Sequence, residues 1–199
     1  AGSSTMLALL PPWAQAGGSA ALLARLQDGK IRGMIARDME KGIPGWDNFI
    51  GFAGAENIHV TSVQTRENRD LLGLSLQQIA QQRGSGVYDA VFDLLLEEEL
   101  GVSIATGFGA EEDIAALMRR PEQNVCTDGL FGLKPHPRVY GTFARILQTY
   151  VRERKVLTLE EAVYKMSGKA AQVFSLEDRG QIAVGKRADV LLFDANAVE

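Results

Sequence analysis

Short runs rich in β-branched residues alternate with stretches of helical periodicity along most of this chain. That alternation limits the folds open to it. Residues 57–63, Asn-Ile-His-Val-Thr-Ser-Val, read as a strand, as do residues 102–106 and the shorter run 124–127. Between them the apolar residues change period. Ser75 with Gln78 forms a capping box and opens a short helix that ends near Gly84. Residues 88–100 place Val91, Leu94 and Leu95 on one face, and Gly101 closes the helix. Residues 110–120 read as a helix stopped by Pro121, with Ile114, Leu117 and Met118 facing inward. Phe143, Ile146, Leu147, Tyr150 and Val151 keep helical spacing. Thr158 and Glu161 form a second capping box, ahead of a helix presenting Ala162, Val163, Met166, Ala170 and Val173. Strands alternating with helices imply a parallel sheet.

Both ends of the chain depart from this rhythm. Ser19 can cap a helix through about Leu26, with Leu22, Leu23 and Leu26 on one face. Residues 30–41 form a second helix that buries Ile31, Met34, Ile35 and Met39 before Gly42, Pro44 and Gly45. This pair reads as an excursion from the layered part. Residues 180–194 read as strand, tight glycine turn and strand, a hairpin that needs a sheet to join.

Composition removes several function classes. The chain has 199 residues, 46% of them hydrophobic, enough for a real core in one domain or one and a fraction. Lys and Arg number 21 against 25 Asp and Glu, and no basic stripe occurs, so nucleic-acid binding is not expected. The apolar runs are too short for a transmembrane helix, and no membrane partner is expected. Pro11-Pro12 would break a signal-peptide core, and the single cysteine suits a reducing, cytoplasmic setting. Two histidines and one cysteine cannot form a conventional zinc cluster by local spacing. The opening Ala1-Gly2-Ser3-Ser4-Thr5 reads as the interior of a longer protein.

One stretch carries a chemical signal. The run 124–127 ends at Asp128; Gly129 follows, then Pro135-His136-Pro137-Arg138 and a helix. An acid at the C-terminal tip of a strand is where a parallel α/β barrel keeps catalytic groups. By position alone a turn-capping aspartate is the commoner explanation for Asp128. A helix-start role is likewise the commoner one for Arg138. His136 is flanked by prolines that stiffen the loop. His59, mid-strand among apolar neighbours, reads as a core histidine, Cys126 as packing, Lys134 as solvated, and Glu97-Glu98-Glu99 as a solvated helix end.

The tail Gly180-Gln181-Ile182-Ala183-Val184-Gly185-Lys186-Arg187-Ala188-Asp189-Val190-Leu191-Leu192-Phe193-Asp194 resembles the C-terminal signature of the amidohydrolase superfamily. Thr127-Asp128-Gly129 with Lys134-Pro135-His136-Pro137-Arg138 and Tyr140-Gly141-Thr142-Phe143 resembles its N-acyl-D-amino-acid deacylase (D-aminoacylase) branch. Ala1-Gly2-Ser3-Ser4-Thr5 resembles the end of a segment of that branch.

The resemblance implies an α/β fold: the C-terminal part of a TIM-like (β/α)8 metal-dependent hydrolase barrel with a piece of the small β-sandwich domain. Residues 1–175 would be partial barrel, with a helical excursion at about 13–45, and residues 176–199 strands of the β-domain. It implies a zinc-dependent hydrolase of linear amides, acting on a small N-acyl-D-amino acid. Asp128 would stand beside the metal as a weak or second-sphere ligand and move a proton from the attacking water to the leaving amine. Arg138 would hold the substrate carboxylate, and Ser4 and His136 would line the substrate site. The family's histidine and cysteine or modified-lysine ligands have no counterpart here. The chain alone is therefore expected to bind zinc weakly, and to associate with itself or with a missing N-terminal portion. A cyclic-amide hydrolase of dihydroorotase or hydantoinase type, and a non-catalytic fragment, are the alternatives.

Overall fold

The computed structural model describes residues 2–199. They form two compact units: residues up to Phe108 together with Leu130–His136, and Gly109–Gly129 together with Pro137–Glu199.

The first unit is built on a three-stranded sheet. β1 (Gly2–Thr5), β2 (Ile58–Ser62) and β3 (Ser103–Thr106) lie in the order β1-β3-β2. The second and third match the expected strands. Their direction does not: β3 runs antiparallel to both neighbours, with Thr106 opposite Gly2 on one side and Ile58 on the other. The expectation of a parallel sheet is corrected here. Whole helical layers link successive strands, and such long links can deliver a strand in either direction, so alternation alone does not set polarity. The outer edge of β2 is covered: Val60 N donates to Leu74 O at 3.0 Å and Gly73 N to Val60 O at 2.7 Å. That contact also pairs His59 with Ser75, so His59 sits in the ladder, half-buried rather than in the core.

The described residues of this unit also form α1 (Pro12–Gln15), α2 (Gly18–Gln27), α3 (Gly29–Lys41), α4 (Phe49–Ala53), α5 (Leu76–Arg83) and α6 (Val87–Glu97). Their ends follow local chemistry. The Asp28 carboxylate caps α3 by accepting from Lys30 N at 2.8 Å and Ile31 N at 3.1 Å. The Ser75–Gln78 capping box opens α5, and Gly84, left-handed at φ 64°, closes it. α6 buries Val91, Phe92, Leu94 and Leu95, and Ile58, Val60 and Ile104 share their core. In α3, Ile35 and Met39 are buried as read, but Met34 is exposed.

The second unit holds α7 (Glu111–Met118), α8 (Arg138–Arg145), α9 (Leu159–Met166) and α10 (Gly168–Val173). A π-helix, Ile146–Glu153, continues α8. Its wider turn is visible where Arg154 N reaches Thr149 O at 2.8 Å. Ala115, Val125, Ile146, Leu147, Tyr150 and Ala162 form the core. The Thr158–Glu161 capping box is present. Three inward assignments fail: Leu117 is 62% exposed, Val163 42% and Val173 59%.

No ladder forms among the described residues of this unit. The run 124–127, read as a strand, carries no regular secondary structure; Val125 N instead bonds Lys165 O at 3.4 Å. In the tail the tight turn exists, closed by Lys186 N to Ala183 O at 3.1 Å. The flanking runs carry no strand pairing, and Ile182, Val184, Leu191 and Leu192 are exposed. Two strands with no third to pack on are marginal in water. Phe193 and Val198 pack on the core, and Arg152 Nη1 holds Val198 O at 3.0 Å. No helix of the described residues is long and apolar enough to cross a membrane.

Candidate active site

Asp128 and Arg138 meet within the second unit. The run ends at Thr127, whose Oγ1 accepts from Gly129 N at 3.3 Å and tightens the turn. Asp128 sits between them at φ 45°, a left-handed conformation that aspartate tolerates better than most residues. Gly129 then passes so close to α8 that a Cβ there would lie 2.9 Å from both Cα and Cγ2 of Val139. This backbone approach fixes the turn against the first residues of α8. It also sets a prediction. Gly129→Ala must push α8 and the turn apart, at about 1–3 kcal/mol. A lowered thermal midpoint with an intact helical spectrum is the expected result; an unchanged midpoint would show that the approach is not needed.

The same approach brings Arg138 to the aspartate. Arg138 Nη2 and Asp128 Oδ2 lie 3.0 Å apart, with the arginine side chain 16% exposed and the aspartate 80%. An ion pair with one partner so exposed contributes about 0–1 kcal/mol. It orients both groups without locking either. Thr142 Oγ1 donates to Arg138 O at 2.7 Å and steadies the first turn of α8. An exposed carboxylate can exchange protons with water, and the guanidinium fork suits a planar carboxylate.

Ser4, Lys134 and His136, also singled out from the sequence, belong to the first unit. Ser4 is half-buried in β1, paired with Ile104. Its neighbour Ser3 has a buried Oγ with no hydrogen-bond partner among the described residues. His136 is half-buried at the end of Leu130–His136. That stretch is stitched to the sheet by Lys134 N to Thr61 O at 2.9 Å, and Lys134 Nζ lies 3.4 Å from Leu72 O. Cys126, read as packing, is an exposed free thiol.

Three groups were not visible as special. Glu98, read as solvated, is 1% exposed. Its carboxylate accepts from Thr65 N at 2.8 Å and Asn68 Nδ2 at 2.6 Å, and also from Gln64 N and the Thr65 hydroxyl. Burial pushes its pKa up, but these hydrogen bonds together outweigh burial and hold it below the usual glutamate range. Its position three to four residues after Leu94 and Leu95, on the apolar stripe of α6, was the available signal. Lys165 is 5% exposed, and it falls three residues after the fully buried Ala162. Glu111 accepts from the Tyr150 hydroxyl at 2.6 Å, which, with Arg145 and Arg154, lowers its pKa despite partial burial.

Among the described residues, no three His, Cys, Asp or Glu side chains gather where one metal ion could be held. The positive partner on Asp128 is Arg138. The donors present do not fit a metal centre.

The chain is similar to proteins of known activity. A family model described as "Amidohydrolase family" matches residues 13–199. N-acyl-D-glutamate deacylase of Alcaligenes xylosoxydans xylosoxydans is 35% identical over 188 residues, covering 92% of this chain and 37% of that protein. D-aminoacylase of the same organism is 37% identical over 131 residues, covering 65% of this chain and 26% of that protein. Among solved structures, N-acyl-D-glutamate deacylase from Bordetella bronchiseptica, complexed with zinc and a phosphonate inhibitor, superposes with a TM-score of 0.67 at 27% identity. That match covers 85% of this chain and 37% of the other. The chain thus spans between a quarter and two fifths of the length of these relatives. With the Asp-Gly turn, the proline-flanked histidine and the tail motif in place, the match over residues 13–199 settles the family: the chain belongs to the amidohydrolases and resembles the N-acyl-D-amino-acid deacylases among them.

Proposed function

We propose that this chain is part of an enzyme that hydrolyses the amide bond of N-acyl-D-amino acids. It would correspond to the C-terminal part of a TIM-like barrel, residues 1–175, with residues 176–199 contributing strands to a small β-domain. The Asp128–Arg138 pair, at 3.0 Å on a sharp turn, is the observation that supports this reading most directly. A reaction that expels an amine needs a proton delivered to it, and one carboxylate can take that proton from the attacking water and pass it on. Asp128 is exposed enough to do both. The substrate's free carboxylate offers Arg138 the same planar partner that Asp128 gives it now. Substrate binding at Arg138 would therefore release Asp128 for proton transfer. Zinc is the cofactor this reading implies for the whole enzyme, but the described residues do not assemble a site for it.

A substrate panel tests the proposal. The longest version of the protein that can be expressed, with zinc added, should release amine from N-acyl-D-amino acids faster than from the L series. Cyclic ureides should turn over poorly. Preference for cyclic ureides would favour the dihydroorotase-like reading, and no hydrolysis of any D-acyl substrate would sink the deacylase. Association with a second copy or with a separate N-terminal portion is part of the same proposal. A lone monomer at high concentration would count against it.

A further inference from the structure

We propose that Lys165 is a positioning residue that sets where Asp128 stands. Its bearing on catalysis rests on the deacylase reading; its bearing on geometry does not. Lys165 lies on α9 with a nearly inaccessible side chain, 5% exposed. Its Nζ donates to Arg120 O at 2.5 Å and to Gln123 O at 3.2 Å. Its own carbonyl accepts from Val125 N at 3.4 Å. One residue thus bonds the 120–125 segment at three points, by side chain and main chain together.

This segment leads directly into Asp128, so its placement governs the approach of the carboxylate. α7 ends at Met118, so carbonyls just beyond it have no helical partner and attract a cation. An ammonium buried without partners would be costly, and here it is met by two main-chain oxygens. If the side chain served only to fill space beside Ala162, an apolar residue would suffice. The ammonium does something an apolar residue cannot: it turns the oxygens of Arg120 and Gln123 inward. That fixes the course of the chain up to Val125, which is buried. On the far side of Asp128, Gly129 is fixed by its close approach to Val139. Residues 126–128 are therefore a short span between two fixed points. Lys165 supplies the upstream point and α8 the downstream one. Without the first, Asp128 keeps its contact with Arg138 but loses its fixed approach.

The single cysteine makes this testable, because Cys126 lies inside the span and is exposed. A nitroxide attached to Cys126 of the full chain reads the mobility of the span directly. Lys165→Met should narrow the spectral lines at Cys126. Leu94→Ala, a core change in the other unit that lowers stability without touching the span, should leave them as in the parent. An unchanged spectrum in folded Lys165→Met, or equal narrowing in Leu94→Ala, overturns the proposal. Should Lys165→Met not fold, the parent protein decides. Its Lys165 ammonium must appear in NMR as a resonance protected from exchange with water, and exchange as fast as that of a surface lysine overturns the proposal. Where activity is measured, Lys165→Met should lower kcat more than it raises KM. Narrowed lines with unaltered kcat would uphold the positioning role and count against Asp128 as the proton carrier.

Discussion

Glu98→Ala is expected to cost the fold about 3 kcal/mol, a large part of the 5–15 kcal/mol that holds a typical domain together. Four donors converge on this one carboxylate: the main-chain N–H groups of Gln64 and Thr65, the Thr65 hydroxyl and the Asn68 amide. Asn68 also reaches Glu97 Oε2 at 3.0 Å, and Arg83 spans Glu97 and Asn68 at 2.7 and 3.1 Å. The loop after β2 is thereby tied to the end of α6. Removing the carboxylate leaves buried donors without acceptors, and that loss exceeds the value of any single hydrogen bond. Glu98→Gln should cost less than Glu98→Ala: both main-chain N–H groups bond the same carboxylate oxygen, which the amide oxygen can replace, but the amide nitrogen cannot accept from Asn68 Nδ2. Glu99→Ala, at an exposed neighbour, should change stability by less than about 0.5 kcal/mol. Urea unfolding of the three variants checks the ranking.

The same carboxylate gives stability a pH dependence of definite sign. Its folded-state pKa lies below the unfolded value of about 4.3, because the hydrogen bonds outweigh burial. The stabilisation is complete above that unfolded value. It is lost as pH falls from there through the folded-state pKa. The parent should lose stability over that acid range faster than Glu98→Gln, and the two curves should converge at the acid end. Parallel curves would show that Glu98 titrates no differently in the folded and unfolded states.

Much of this architecture was legible wherever local chemistry decides structure. The capping boxes at Ser75 and Thr158 open helices where they were read, because a hydroxyl and a glutamine or glutamate three residues apart satisfy main-chain groups without help from the rest of the fold. The apolar stripe of α6 went inward for a similar reason: it is long and consistent. Legibility failed where a partner decides. The direction of β3 depends on which edges meet. The hairpin in the tail depends on a third strand that the described residues of its unit do not supply. Polar burial was the hardest to see. Glu98 and Lys165 both sit on buried stripes, yet each looks like a surface residue until its partners, distant in sequence, are known. At the candidate site, motif singles out Asp128 and Arg138, while Gly129, which brings them together, shows its role only as a missing Cβ against Val139.

Asp128→Asn should then lower kcat for an N-acyl-D-amino acid by about 10²–10⁴-fold, the range that positioned acid–base groups contribute. Asparagine is the informative choice. It has the same shape, and it tolerates the left-handed backbone that φ 45° demands, so the turn should survive. It keeps an oxygen for Arg138 but cannot hold and release a proton at neutral pH. The lost ion pair is exposed on the aspartate side, so the thermal midpoint should move by no more than about 1 kcal/mol implies. The contrast with Arg138 sharpens the test. Arg138→Lys keeps the charge and loses the planar fork, so it should raise KM more than it lowers kcat. If instead Asp128→Asn leaves kcat intact, the carboxylate is only the counter-ion that orients Arg138. If both variants change KM alone, the pair binds substrate and the proton carrier is another residue. A fall in kcat at Asp128 with a rise in KM at Arg138 assigns the two halves of the pair their separate tasks.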